Sequence, residues 1–276
     1  MPSKSRSGPV RVVGDRGHRT GAWLLVAALA APCVVRAQAG PPFLSNDPGT
    51  PGNGHWEINL ASTQVISRGA GSYETPQIDL NYGIGERIQL TFEVPYVLQS
   101  DTGQPTRSGW GNAYPGIKWR FLDQGEDGWQ ASIFPQVETG VSMASQREGI
   151  GSPGPRVLLP LEAARKVGII DLDFEAGYYF PVHGAHELIL GVVAGRQVTQ
   201  RLELDVELYE DHARGTQPHN TTLDLGGRFK LHSGVIALFM AGRNLGAGYA
   251  DGEPEFVGYF GVQLLLKNYG LALADD

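Results

Sequence analysis

From Gly54 onward the chain alternates between apolar and polar positions. Ile88, Leu90, Phe92, Val94 and Tyr96 are interleaved with Arg87, Gln89, Thr91, Glu93 and Pro95, and Leu202, Leu204, Val206 and Leu208 with Arg201, Glu203, Asp205 and Glu207. The same period of two sets Leu172, Phe174, Ala176, Tyr178 and Phe180 against Asp171, Asp173 and Glu175, and Leu223, Leu225, Phe229 and Leu231 against Asp224, Arg228 and Lys230. Alternation with one apolar face is the pattern of a half-buried β-strand. Its pairing is fixed in register, because a slip of one residue exchanges the two faces. About 12 strands are predicted between residues 54 and 267; ten is the alternative, because the sixth and eighth segments alternate poorly. Pro95, Pro115, Pro135 and Pro160 fall inside predicted strands, where they cannot donate to a ladder, and are expected at bulges or strand ends.

The connections alternate in length as well. Gly85-Glu86, Asp123 to Gly128, Lys166 to Gly168, Thr199-Gln200 and His232 to Gly234 are tight. Arg68 to Gly71, Gln99 to Gly109, Val141 to Arg156, Val182 to His186, Glu210 to Asn220 and Leu245 to Glu255 are mostly longer and rich in Gly, Pro, Ser and Asp. An even strand number, short turns on one rim and long loops on the other predict an all-β fold. It is an antiparallel transmembrane β-barrel of the outer-membrane type, with short periplasmic turns, longer extracellular loops and both termini periplasmic. In that fold the charges face the bore. Turned toward lipid, Glu203, Asp205 and Glu207 would together cost several kcal/mol, since a Lys or Arg at the midplane costs roughly 2–4 kcal/mol and an acid somewhat less. A soluble β-sandwich would carry its charges outside and would not sort its loops by length. Trp119, Trp129, Tyr96, Tyr178 and Tyr259 are candidates for the interfacial aromatic girdles.

Composition adds an address. Lys4, Arg6, Arg11, Arg16 and Arg19 precede the apolar run Trp23 to Val35 and the small-x-small triplet Ala37-Gln38-Ala39. Residues 1–39 therefore read as a secretory signal peptide, too short to span a bilayer as a helix. The single cysteine, Cys33, lies within it, so the rest of the chain has no thiol for a disulfide, a metal or nucleophilic chemistry. Without the leader the chain loses six of its 22 Lys/Arg and one of its 29 Asp/Glu, and the formal charge moves from −7 to −12. That sign disfavours nucleic acid as a partner. Residues 40–53, with Pro41, Pro42, Pro48 and Pro51, have no periodicity and read as a periplasmic N-terminal arm or as a plug tucked into the barrel; residues 54–267 form the barrel and 268–276 a C-terminal tail. The expected partners are the lipid bilayer of the outer membrane, the barrel assembly machinery during insertion, and a small-molecule solute.

Twelve strands stand between eight, whose interior is filled by side chains, and sixteen, which leave a water channel. The bore is therefore expected to be narrow and governed by its lining. The charged residues expected to line it are Asp79, Arg87, Glu93, Lys118, Arg120, Glu138, Asp171, Asp173, Glu175, Arg201, Glu203, Asp205, Glu207, Asp224, Arg228 and Lys230. Acids dominate the seventh and ninth strands, and bases are prominent on the third and fourth. One reading is a transverse field that orients dipolar solutes and favours cations slightly. The other is neighbour-to-neighbour pairing, such as Arg201 and Arg228 with Glu203 and Asp224, which only fills the interior.

Catalytic residues are not expected. A barrel hydrolase needs a His with a carboxylate, a Ser or a metal at one rim, and the only material for it is Glu210-Asp211-His212 with His183, His186 and His219 in two adjacent long loops. His183, His186 and His212 are weak candidates for a metal site, but polar loop residues meeting water explain them as well. No cofactor is implied. A non-conducting structural or adhesion barrel is the remaining class.

Several short segments carry a resemblance: Pro41-Pro42-Phe43, Asn46-Asp47-Pro48, Gly54-His55-Trp56-Glu57, Leu80-Asn81-Tyr82-Gly83, Gln89-Leu90, Val94-Pro95-Tyr96, Gly116-Ile117-Lys118 with Phe121, Phe134-Pro135 and Leu159-Pro160-Leu161. In this order and spacing they resemble a family of Gram-negative outer-membrane proteins described as transporters, or as proteins of the meta-cleavage pathway of phenol degradation. The resemblance implies an outer-membrane barrel and suggests handling of small, aromatic compounds. It assigns no binding residue. Phe256 to Lys267 resembles a barrel assembly signal, although the chain runs on to Asp276.

Overall fold

The structure, a computed structural model, describes residues 40–125, 128–152, 154–182, 184–213, 220–245 and 254–267. The expected signal peptide and C-terminal tail, together with His183 and His219, lie outside the described residues. Strand segments follow in the order β1 (Trp56–Ser67), β2 (Ala70–Ile84), β3 (Ile88–Asp101), β4 (Arg107–Trp110), β5 (Asn112–Asp123), β6 (Gln130–Ile133) and β7 (Gln136–Gly140). One short helix, α1 (Met143–Arg147), precedes β8 (Arg156–Val167), β9 (Ile170–Pro181), β10 (Glu187–Gln197), β11 (Leu202–Ala213), β12 (Asn220–His232), β13 (Val235–Asn244) and β14 (Pro254–Leu266).

All pairings are antiparallel, and β1 pairs with β14 from Trp56↔Leu266 to Ile66↔Phe256, which closes the sheet on itself. The barrel has twelve strands because two of them are interrupted. β4 runs on into β5 along β3, with a one-residue offset at Gly111. β6 and β7 lie end to end along β8 in one register, separated by Phe134-Pro135. The ten-strand alternative does not hold. The eighth segment, β10, alternates poorly because both its faces are apolar: Leu188, Leu190 and Val192 outward, Ile189 and Val193 inward.

The prolines are accommodated differently from expectation. Only Pro135 sits at a strand interruption; Pro95, Pro115 and Pro160 are paired within strands, opposite Gln77, Phe92 and Gly177. Their missing donors fall where the neighbouring strand is already irregular. Pro95 lies between the β2 bulge at Glu74/Gln77 and the β4–β5 offset, where its carbonyl accepts from the Gly111 N–H at 2.9 Å. The Pro160 and Pro135 carbonyls accept from Phe134 and Ile117 across the β6–β7 gap, at 3.2 and 3.1 Å. The irregularities at these prolines thus neighbour one another, from the β2 bulge to the β6–β7 gap.

Both ends of the described barrel lie at one rim, and the connections there are short: 85–87, 124–129, 168–169, 198–201 and 233–234. The far rim carries 102–106, 141–155, 182–186 and the connections that follow β11 and β13. One far-rim connection is short as well: β1 turns into β2 through Arg68-Gly69 alone. β3 and β11 also continue further than expected, into what read as loop.

The packing is inside out. Leu225 and Phe260 are 62% and 64% exposed on the outer surface, whereas Glu207 and Asp224 have no exposure at all. A water-soluble barrel would reverse those figures; a bilayer makes both favourable. Aromatic side chains pair across strands on the outer face, Trp56 on Tyr82 with ring centroids 4.7 Å apart and Tyr96 edge-on to Trp110 at 5.5 Å. Trp119 and Trp129 are exposed there too. Tyr259 departs from the girdle expectation: it turns inward and packs on Phe43, Met240 and Val257.

Candidate functional site

The segment from Gly40 to Asn53 is folded into the barrel. Phe43, Ser45, Pro42 and Pro48 are buried, and the segment is held through its backbone. Both oxygens of Glu207 accept N–H bonds, from Leu44 at 2.9 Å and from Ser45 at 2.8 Å. The Asn46 N–H donates to Glu175 Oε2 at 2.8 Å. Carbonyls meet cations: Arg228 Nη2 donates to Pro41 O at 2.8 Å and to Gly40 O at 3.3 Å, and Lys118 Nζ donates to Asp47 O. The wall makes room with glycines. A Cβ at Gly191 would stand 1.8 Å from Ser45 Oγ, and one at Gly83 would stand 1.8 Å from Gly52 O. Glycine inside a strand often marks such a close backbone approach. The apolar inner face of β13 and β14 has the same origin, since Phe43 seats against Met240, Val257 and Tyr259.

This arrangement accounts for much of the interior charge. On β11 and β9, Glu207 and Glu175 bind arm N–H groups; on β12 and β5, Arg228 and Lys118 bind arm carbonyls. The bases also pair along the wall: Arg228 lies 2.9 Å from Glu203 and 3.9 Å from Asp205, and Lys118 lies 3.3 Å from Glu162, which Ser132 also contacts. Asp79, Asp171, Asp173 and Asp224 are buried on the interior face, and Glu93 and Lys230 are half-buried there. Lys166 approaches Asp171 at 3.7 Å. Arg120 donates to Glu86 O at 2.5 Å and lies 3.5 Å from Asp123. Two of the sixteen expected positions are elsewhere. Arg87 and Arg201 are exposed residues of the short turns, where water solvates the guanidinium at no burial cost. Without Arg87, the bases expected across the bore reduce to Lys118 and Arg120, both engaged locally.

Beside the arm, on the side of β1 to β3, a cavity of about 380 Å³ remains. Its strand wall carries Glu57, Glu74, Asp79 and Glu93 among the neutral side chains Gln77, Asn81, Gln89 and Thr91. The lining also includes the apolar and aromatic side chains of Phe43, Phe134, Met240 and Tyr259, and the cations Lys118 and Arg228. The neutral members are absent from the charge-based expectation, although Gln89 and Thr91 occupy the same alternating row as Glu93; inward amides carry the same period-two signal as inward charges. A smaller cavity of about 160 Å³ lies on the other flank of the arm, between Asp47 to Thr50 and strands including β6, β8 and β9.

At the far rim Glu138 and Asn112 anchor the loop 141–155. Asn112 Oδ1 accepts from the Ser152 N–H at 2.8 Å, and Asn112 Nδ2 donates to Glu138 at 2.5 Å. Arg156 joins Glu138 and Glu187 at 2.5 and 2.9 Å and stacks 3.9 Å from the Tyr179 ring. Among the described residues the histidines do not assemble. His186 lies against Tyr178 and Phe180 at 5.6 and 5.9 Å. His212 is on β11, not in a loop. Glu210, Asp211 and His212 are successive strand residues, so Asp211 points to the face opposite His212 and cannot orient it. Among the described residues no group of three His, Cys, Asp or Glu side chains is placed to hold a metal ion.

No family model matches the sequence, and no curated protein is similar to it at a significant level. Solved structures are similar. The COG4313 outer membrane channel from Pseudomonas putida F1 superposes with a TM-score of 0.61 over 80% of this chain and 99% of its own, at 15% identity. A KdgM porin in complex with disordered oligogalacturonate gives 0.54 over 75% of this chain and 98% of its own, at 10% identity. At these identities the likeness is one of fold: a closed antiparallel β-barrel, of twelve strands in this chain.

Proposed function

We propose that the chain is exported by residues 1–39, inserts into a Gram-negative outer membrane, and passes small solutes passively through a bore narrowed by residues 40–53. The observation that carries this reading is the open cavity of about 380 Å³ left beside the arm inside a barrel with an apolar exterior. Aromatic compounds are the finer proposal. It rests on the family resemblance of Pro41-Pro42-Phe43 and the other motifs, and Phe43, Phe134 and Tyr259 in the lining of the cavity favour it. A polyanion such as the oligogalacturonate bound by the KdgM porin is disfavoured by the carboxylates of Glu57, Glu74, Asp79 and Glu93 on β1 to β3. The hydrolase and adhesion readings gain no support from the scattered histidines or the packed far-rim loop. Liposome swelling tests the proposal: vesicles holding the folded barrel are expected to swell with triose- and pentose-sized solutes and to slow sharply with disaccharides. Vesicles that swell with none of them, with the barrel folded, would overturn it.

A further inference from the structure

The cavity on the β1–β3 side has an uneven stock of hydrogen-bonding groups. Its amide donors are used within the wall. Asn59 Nδ2 and Asn81 Nδ2 both donate to Asp79 Oδ2 at 2.9 Å, Gln77 Nε2 donates to Glu93 Oε1 at 2.6 Å, and Gln89 Nε2 donates to Asn81 Oδ1 at 2.7 Å. Thr63 and Thr91 hydroxyls donate in turn to Gln77 Oε1 and Asn81 Oδ1, at 2.7 and 2.6 Å. The surplus is in acceptors. Asp79 lines the cavity, is only 7% exposed, and its Oδ1 has no hydrogen-bond partner. Asp79 and Glu93 are also direct cross-strand partners, and like charges placed opposite one another destabilise a sheet. The cations that could neutralise them, Lys118 and Arg228, are spent on the arm and on Glu162 and Glu203. A carboxylate accepts and cannot donate, so what completes this wall brings N–H or O–H donors, and a cationic donor also offsets the facing charges of Asp79 and Glu93. Phe43, Met240 and Tyr259 offer the other end an apolar surface.

We infer that this cavity is a binding site for a small primary amine with an apolar body, its ammonium on Asp79 and Glu93 and its body against Phe43 and Tyr259. The inference rests on the proposed function, since it names the class of solute that the bore prefers. The test separates the two. Binding of 2-phenylethylamine to the full-length folded barrel in detergent is measured by calorimetry, and passage is measured separately by swelling of liposomes with neutral pentoses. Saturable binding is expected, weakened at least tenfold in Asp79→Asn/Glu93→Gln, with 2-phenylethanol failing to compete. Should the double variant destabilise the barrel, Tyr259→Leu, which removes an aromatic surface and no charge, is expected to weaken 2-phenylethylamine while leaving methylamine unaffected. Equal binding of amine and alcohol, unchanged binding in the double variant, or binding of Ca²⁺ where no amine binds would each overturn the site. Swelling without amine binding sinks the site alone; binding without swelling sinks the passage.

Discussion

Replacing Glu207 with Gln tests whether the arm is held as described. Glu207 uses both oxygens on arm amides, at 2.9 and 2.8 Å. Hydrogen bonds to a charged group contribute about 1.5–3 kcal/mol each, and neutral ones about 0.5–1.5 kcal/mol. Gln keeps one acceptor and turns an NH₂ toward the second N–H. One bond is therefore lost and the other falls to the neutral range, a weakening of about 2.5–4.5 kcal/mol. As an opening equilibrium that is a factor of roughly 70 to 2,000. Amide hydrogen exchange reads it directly: a peptide spanning residues 40–53 should exchange faster by that factor in Glu207→Gln, while β11 peptides outside the substitution stay protected. Glu175 receives a single backbone N–H at 2.8 Å, with only a 3.5 Å contact from the Asn46 side chain. Glu175→Gln keeps that bond and loses only its charge, a weakening of about 1–1.5 kcal/mol or roughly tenfold. Unchanged arm exchange in Glu207→Gln, or a larger effect at Glu175, would refute the backbone-clamp argument.

Other substitutions probe the remaining physics. Gly83→Ala puts a Cβ against the Gly52 backbone, which cannot yield as a side chain would; the arm should lift from β2 and single-channel conductance should rise. Unchanged conductance would mean the arm does not limit flow there. Arg228→Leu strands Glu203 in the interior and should destabilise the barrel by about 3–5 kcal/mol, with Glu203→Gln restoring part of the loss in the double variant. Urea unfolding in lipid measures both, and simple additivity of the two substitutions would contradict the pairing. Val206→Arg, on the outward row of β11, should cost about 2–4 kcal/mol at mid-bilayer and slow conversion to the heat-modifiable folded band on gels. Folding at the wild-type rate and stability would place Val206 away from hydrocarbon.

The strands were legible because lipid imposes a simple rule on every outward position. Rows such as Leu204, Val206 and Leu208 opposite Glu203, Asp205 and Glu207 need only a period of two to be read. The rule fades above the bilayer, where both faces may be polar. Glu210-Asp211-His212 lost its alternation and read as loop, yet continues β11. Arg87 and Arg201 show the converse error: parity of position assigned them to the bore, but a turn residue next to water has no reason to obey strand parity.

The arm was the least legible part for a different reason. It is held mainly by peptide N–H and C=O groups, which every sequence possesses, so no side-chain pattern within 40–53 announces its seat. What the sequence did carry was an imbalance in the wall. Acids outnumber bases at the inward positions of β9 and β11, and Gly191 interrupts an inward row flanked by Ile189 and Val193. Neighbouring salt bridges cannot neutralise such a surplus, and a lipid-facing barrel gains nothing from an apolar inward row unless something packs on it. Buried acceptors in excess imply donors supplied from outside the sheet. For Glu175 and Glu207 those donors are the backbone of residues 44–46. By the same reasoning, the Asp79 carboxylate oxygen that the arm does not reach is the place to look for a donor brought by a solute.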